Sequence, residues 1–303
     1  MNGLLGTLKL WVDSDTPAPT NQQTFNFARC IPFIALHLAC LGVIWVGVST
    51  TAVVFCVAFF FIRMFAITAF YHRYFSHRSF KTSRPAQFVF AVLGNMAAQR
   101  GPLWWAGHHR HHHQHSDQDL DLHSPVKRGF WWSHVGWFTC DASFNTPKDR
   151  IKDFYKYPEL VFLNRYDTII PILTALSIFA LGELLAVFAP QLETNGYQLI
   201  VWGFVISTVA LFHSTVTINS LAHVWGKKRF DTNDNSRNNA FLALLTLGEG
   251  WHNNHHRYPR SAKHGFAKHE LDITYLLLLA MSKIGLIWAL QPIPQHVKNE
   301  MKP

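Results

Sequence analysis

The sequence predicts an all-α integral membrane protein, with four transmembrane helices in two hairpins and a cytosolic helical cap that carries boxes of histidine. Three observations predict it. The 303-residue chain is 49% hydrophobic and only 15% charged, where a soluble domain carries charge on about a quarter of its residues. Its apolar residues are clumped into runs long enough to cross a bilayer. Its lysines and arginines fall almost wholly outside those runs and on one set of connecting segments.

Taken in order, residues 1–28 read as a loosely held amphipathic lead-in (Leu4, Leu5, Leu8, Leu10, Trp11). They lack a positive start leading into an apolar run, so no cleavable signal is predicted. From Cys30 to Tyr71 come 42 residues with one charge, Arg63. As a single helix this run would be about 63 Å long, twice the ~30 Å hydrocarbon thickness. It therefore predicts two spans, about 30–49 and 51–71, turning near Ser49-Thr50-Thr51. A second pair is predicted at about 168–189 and 198–220. Residues 85–99 are apolar but too short to span, and Gly101-Pro102 breaks them; an interfacial or buried helix fits. The run at 271–290, interrupted by Ser282 and Lys283, is read as interfacial, because a further span would strand Lys298 and Lys302 on the far side. The domain plan is thus a lead-in (1–28), one domain (29–290) with cap segments 72–167 and 221–290, and a C-terminal tail (291–303).

Charge sets the orientation. Residues 72–167 carry 13 Lys/Arg and residues 221–303 carry 11, while the loops at 49–51 and 188–199 carry none. By the positive-inside rule, both termini and the active-site side face the cytoplasm. The net charge of +9 then describes a basic face beside anionic headgroups, and nucleic acid is excluded as a natural partner. Cys30, Cys40, Cys56 and Cys140 form no C-x-x-C pair, which argues against a disulfide framework or zinc ribbon.

Six histidines occupy the eight positions from His108 to His115, and two further boxes answer them: H-R-Y-F-S-H (His72 to His77) and H-N-N-H-H (His252 to His256). Imidazole is the side chain most used to hold borderline transition metals. Residues at i, i+3 and i+4 share a helix face, so His252, His255 and His256 are predicted to aim one way. The middle run allows His108/His111/His112 or His109/His112/His113. The second places an arginine after the leading histidine, as Arg73 follows His72, but spacing alone leaves the register open. In the first box, i and i+5 lie roughly 140° apart on an ideal α-helix and would have to flank a metal at a helix end. His37 and His213 are read as satisfied within the bundle. His108, His111, His115, His123, His134, His264, His269 and His296 are read as supporting or surface groups.

The fourth span ends in N-S-L-A-H, which adds His223, with Asn219 one turn before it. Nine imidazoles (His72, His77, His109, His112, His113, His223, His252, His255, His256) are too many for one four-coordinate zinc. They suit two metals of four or five nitrogen ligands each, and iron is the natural choice for oxygen activation at nitrogen-rich sites. No Glu-x-x-His pair of the soluble di-iron kind stands at the site. Asn219 could hold a metal-bound water. Asp117, Asp119, Asp121 and Glu249 are candidates to orient ligand rings. Arg63 and Glu183, ionisable groups inside spans, are functional candidates by their position alone, with Arg63 near enough to the interface to snorkel. A redox metal pair beside apolar helices suits a substrate with a long apolar tail.

The boxes H-R-Y-F-S-H, H-R-H-H-H, N-S-L-A-H and H-N-N-H-H, in this order on these spans, resemble the membrane fatty acid desaturases, and most the stearoyl-CoA (delta-9) type. G-N-M-A-A-Q, S-H-V-G-W and G-E-G-W-H-N-N-H-H resemble that branch too. The similarity covers roughly residues 30–270. It implies a di-iron centre that uses O2 to insert a cis double bond into a long-chain acyl substrate. It also implies electrons from NAD(P)H through a separate reductase and a small electron carrier, since no fused carrier domain is visible. The nine histidines would be the iron ligands, with Asn219 binding through water, and the pattern favours the His109/His112/His113 register. Gln99, Trp105 and Thr215 match positions that shape the bend of the acyl tunnel. One departure concerns the carrier: Cys140, Asp141 and Ala142 follow Thr139 where animal members have a basic pair for CoA phosphates, and Gly107 replaces an expected arginine. An acyl-CoA, lipid-bound or carrier-protein-bound chain all remain open. The rival readings are a membrane hydroxylase on the same centre and a divalent-metal transporter with a histidine-rich loop.

Overall fold

The computed structural model describes residues 4–16 and 24–301. Helix α1 (Leu4–Val12) opens the chain, followed by two helices long and apolar enough to cross a membrane, α2 (Phe27–Val46) and α3 (Thr50–Ser76). Asn26 starts α2 by accepting from the Arg29 amide, an N-cap that satisfies one of the helix's unpaired donors. Gly47, at φ +67°, ends it, a conformation that costs glycine little. Ser49 then caps α3 by accepting from Ala52 N and reaches Gln198 at 2.6 Å. The predicted turn therefore lies where expected, while α3 runs five residues past the predicted end of its span.

That extension has a local cause. Residues Ala66–Ser76 are wound as a π-helix, with His77 N donating to His72 O, the i→i+5 pattern that recurs at functional sites. Next come the short α4 (Arg84–Asn95), begun by Ser83, and α5 (Pro102–His115), which carries the central histidine run. The second apolar pair is α6 (Ile169–Phe188) and α7 (Gly196–His223). The chain closes with α8 (His252–Arg257), α9 (Ile273–Lys283) and α10 (Gln295–Glu300).

Helix α3 packs on α7, and α7 on α6. The outer faces of the apolar helices keep large groups uncovered: Trp45 on α2 is 78% exposed and Phe188 on α6 80%. Such surface is costly in water and is solvated by lipid, so the chain is built as a membrane protein. Glu183 is placed by packing; its Oε1 accepts from Gly196 N at 2.9 Å and so caps α7 where the helix dipole favours an anion. Arg63 does not snorkel. It is fully buried, donates to Ser207 Oγ (2.7 Å), Thr208 Oγ1 (2.6 Å) and two backbone carbonyls, and lies 4.3 Å from the Phe59 ring. It ties α3 to α7 with no carboxylate partner among the described residues.

Three expectations change. The lead-in is docked rather than loose: Trp11 donates to Ala28 O, and Asp13 accepts from Arg165 Nη2 and Nε at 2.7 and 3.0 Å. Residues 1–3 and 17–23 of that segment, the side chains of Leu4 and Leu5, and Lys302 lie outside what is described. The fold is not wholly helical, because β1 (Lys81–Thr82) pairs antiparallel with β2 (Ile287–Trp288). This pairing splits the 271–290 run: α9 covers 11 residues, too few to span. The predicted tail is tied down as well, with Val297 buried against Phe230 and Phe266 and Arg257 Nε donating to Glu300 at 2.7 Å.

Candidate metal centre

The nine histidines picked out from the sequence gather into two groups. His72, His77, His109, His113 and His255 form one; His112, His223, His252 and His256 form the other, with the ring nitrogens of each within 4.8 Å of one another. Helices α5 and α8 each serve both groups in the same way. The i, i+4 pair His109/His113 goes to the five-histidine group and His112 to the four-histidine group. On α8 the i, i+4 pair His252/His256 goes to the four and His255 to the five. The three ligands of a box thus share a helix face yet diverge across it, which the expectation of a single aim missed. The first box also departs from its expected geometry. π-Winding closes the 140° that an α-helix would leave, and the His72 and His77 rings stand 4.9 Å apart.

On α5 the structure brings His109, His112 and His113 into the groups and turns His108 and His111 elsewhere. His108 Nε2 meets Asn145 O at 3.1 Å beside Trp104, and His111 Nε2 meets Leu120 O at 2.9 Å on the exposed side. Neither is in a group. Trp105 stacks on His109, ring centres 5.0 Å apart, and meets His72 edge-on. Gln99 Nε2 donates to Thr215 Oγ1 at 3.0 Å, joining the segment between α4 and α5 to α7. Asn219 stands one turn before His223, and its carbonyl accepts from Ser133 Oγ.

Carboxylates stand behind the rings. His72 Nδ1 lies 2.5 Å from Glu249, His112 Nδ1 3.0 Å from Asp121, His223 Nδ1 2.9 Å from Asp117, and His256 Nδ1 2.5 Å from Asp234. Burial alone would raise the Asp117 carboxyl, but His223, Ser124 and the Asn235 amide bring it down to about 2. Asp121, Asp234 and Glu249 are likewise held well below the carboxylate range against their burial, by His112, His256 and His72 respectively. Asp119, the fourth sequence candidate, instead pairs with Lys127 and is exposed. Asp234 took its place unannounced. It sits in a polar loop of ordinary composition, and nothing in its spacing ties it to a box.

Glu249 depends on two glycines. A Cβ on Gly248 (φ +126°) would lie 2.5 Å from Asp272 Oδ1, and one on Gly250 would lie 2.1 Å from Ala243 N. The close approach lets Arg73, fully buried, bridge Glu249 (3.0 Å) and Asp272 (2.9 Å). Asn253 and Asn254, between the ligands of α8, turn outward. Asn253 Oδ1 accepts from Arg229 N and Phe230 N, and Asn254 Nδ2 donates to His264 O and Glu270. These asparagines lock the surrounding loops, a role that the box signature hides.

The protons on the rings bear on whether metal fits. A carboxylate only accepts, so His72, His112, His223 and His256 carry N–H at Nδ1, which leaves Nε2 as the ring atom aimed inward; burial presses the His112 ring down, but Asp121 raises it above the usual imidazole value. Burial first, then neighbouring rings, holds His77, His109, His113, His252 and His255 well below the usual imidazole range, so they are neutral, the form that binds metal. Convergent lone pairs repel unless a cation lies among them. His256 Nε2 is buried with no partner among the described residues. The site fits transition-metal cations.

The family model described as "Fatty acid desaturase" matches residues 32–278. The chain belongs to the fatty acid desaturase family. It is 37% identical over 215 residues to the sn-2 palmitoyl-lipid 9-desaturase of Nostoc sp. (strain 36), covering 69% of this chain and 70% of the relative. It is 38% identical over 212 residues to the sn-1 stearoyl-lipid 9-desaturase of Synechocystis sp. (69% and 62%). It is 33% identical over 230 residues to the icosanoyl-CoA 5-desaturase of Limnanthes douglasii (75% and 61%). As a member of this family it is an oxidoreductase acting on acyl chains, a reading that these matches favour over the hydroxylase and the transporter. The departures from the animal pattern have a structural counterpart. A Cβ on Gly107 would lie 3.0 Å from Pro147, so any side chain there needs Pro147 to give way by a few tenths of an ångström. Residues 139–141 are covered by the chain's own lead-in, through Asn26 N to Thr139 O, Asp141 N to Thr24 O and Asn26 Nδ2 to Asp141.

Proposed function

We propose that this desaturase inserts a cis double bond, at the delta-9 position, into a long-chain acyl group carried on a lipid or CoA. It does so with two irons held by the five- and four-histidine groups, O2, and electrons from NAD(P)H through a separate reductase and carrier. The observation that carries the reading is the convergence of nine imidazoles into two groups, backed by carboxylates, at the ends of apolar helices. The position of the double bond follows the names of the cyanobacterial relatives; the choice between lipid and CoA follows both sets of names.

Bound there, an iron pair would supply the oxidising power to remove two hydrogens from unactivated methylene carbons. The chain supplies the rest. Glu249, Asp121, Asp117 and Asp234 hold the Nδ1 protons of His72, His112, His223 and His256, which fixes the ring orientation and raises ligand basicity. Asn219, ahead of His223, would add a ligand through water. Trp105, against His109 and His72, and the Gln99–Thr215 bond would position the acyl chain beside the groups and exclude water. The four apolar helices are arranged as two hairpins, with the site, cap and termini on the cytoplasmic side as the Lys/Arg distribution requires.

Expression in a host that makes no unsaturated fatty acids tests this. Fatty-acid methyl esters should then contain new cis-9 monoenes. Hydroxy acids, or no new product from protein that is present in the membrane, would contradict the proposal.

A further inference from the structure

Three histidines outside the two groups form a continuous chain across three elements. His37 (α2) Nε2 lies 3.1 Å from His213 (α7) Nε2, and His213 Nδ1 lies 3.1 Å from His134 Nε2 in the Trp132–Gly136 turn. At the two ends, His37 Nδ1 is 2.8 Å from Phe33 O, and His134 Nδ1 is 2.9 Å from Ser220 Oγ.

A carbonyl can only accept, and carbonyls stand at both ends of the chain: Phe33 O beside His37 Nδ1, and Val216 O 3.0 Å from Ser220 Oγ. His37 carries its proton on Nδ1. With three neutral rings its Nε2 accepts from His213 Nε2–H, His213 Nδ1 accepts from His134 Nε2–H, and His134 Nδ1 accepts from the Ser220 hydroxyl, which then turns from Val216 O. If the hydroxyl keeps Val216 O, His134 Nδ1 donates to Ser220 Oγ and the chain holds one more proton. In either case it is anchored at Phe33 and ends on Ser220.

The readout point is where α7 stops being α-helical. Ser220 has φ −97° and ψ −68°, and Leu221–His223 continue as a tighter 3₁₀ turn. The turn that bears His134 grips this place twice, because Ser133 Oγ donates to Asn219 O at 2.9 Å. Three residues on, His223 Nε2 lies 3.0 Å from His252 Nε2. Apolar packing already fills the same corner, where Phe33, Phe138 and Phe212 meet pairwise at 5.2 Å. Holding the elements together needs no buried polar chain there; fixing one angle of the turn does.

We infer that the His37–His213–His134 chain is a positioning relay that, through Ser220, sets the Asn219–His223 turn for the four-histidine group. The inference rests on the metal reading of that group. The test measures iron per polypeptide in purified holoprotein under graded chelator, with circular dichroism as the check on folding. Wild type should retain two irons. His134→Phe and Ser220→Ala should lose one of the two about ten-fold more readily, the lower end of what partners behind a ligand contribute. Ser220→Ala removes only a hydroxyl and so guards against misfolding of the larger variant. His134→Asn, whose amide oxygen can accept from Ser220, should keep the second iron, whereas His134→Gln, which reaches towards His213 instead, should not. Equal retention by wild type, His134→Phe and Ser220→Ala would overturn the relay alone, as would equal loss by the Asn and Gln variants. Wild type without iron would overturn the metal reading and the relay with it.

Discussion

Asp234 Oδ2 lies 2.5 Å from His256 Nδ1, and the other nitrogen of that ring is buried among the three remaining histidines of its group. The carboxylate is itself held by Thr232 and by the Ser236 amide and hydroxyl. Burial presses the His256 ring down to about 4 even with Asp234 beside it, so the ring is neutral at physiological pH. Asp234→Asn keeps the shape but loses the charge behind the ring. It should weaken metal retention by the four-histidine group roughly 10- to 100-fold and leave the five-histidine group unchanged. Competition with a chelator, read as iron per polypeptide, checks this; an unaltered curve would remove Asp234 from the centre.

Glu249 serves His72 and the buried Arg73 together. Removing one partner of a buried pair leaves an uncompensated charge and costs about 3–5 kcal/mol. Because Arg73 keeps Asp272 and the Ala262 carbonyl, Glu249→Gln should fall at the low end. Thermal unfolding in detergent should show a clear drop; a melting temperature within error of wild type would contradict the pairing.

The histidine centre was largely legible in the sequence because ligand chemistry is local. His252, His255 and His256 sit on one short helix, and their type and spacing survive without knowledge of anything distant. The four apolar runs were legible for the same reason, since length and composition decide a span. What stayed hidden depends on long-range pairing. Asp234 reaches His256 across 22 residues, and β1 meets β2 across some 200, with no periodicity to announce either. The π-winding of Ala66–Ser76 was hidden differently: the sequence reads as an ordinary apolar helix, and only the need to bring His72 and His77 together exposes the wider turn. Arg63 was misplaced because its partners, Ser207 and Thr208, lie on the last span.

Arg63 braces α3 against α7. Arg63→Met should leave Thr208 without its donor while Ser207 still reaches Cys56 O, at a cost of about 1–3 kcal/mol. The variant should melt earlier yet still form monoenes from the host's lipids. Loss of product at normal stability would instead place Arg63 in the chemistry.

Gly107 lies against Pro147, so restoring the arginine of the animal pattern should not restore a phosphate contact. Gly107→Arg should overpack this contact, at a cost of about 1–3 kcal/mol, and lower the yield of folded protein on gel filtration. A stable variant with improved use of acyl-CoA would show that Pro147 gives way and that this face meets the carrier.

The proposed centre holds two cations in two distinct sets of imidazoles. Iron content of the purified protein, compared with His255→Ala and His252→Ala, tests this most directly. Two irons are expected in wild type; each variant should lose iron from its own group, remain in the membrane and form no monoene. A single ion in wild type, or histidine variants that keep full iron and activity, would contradict it.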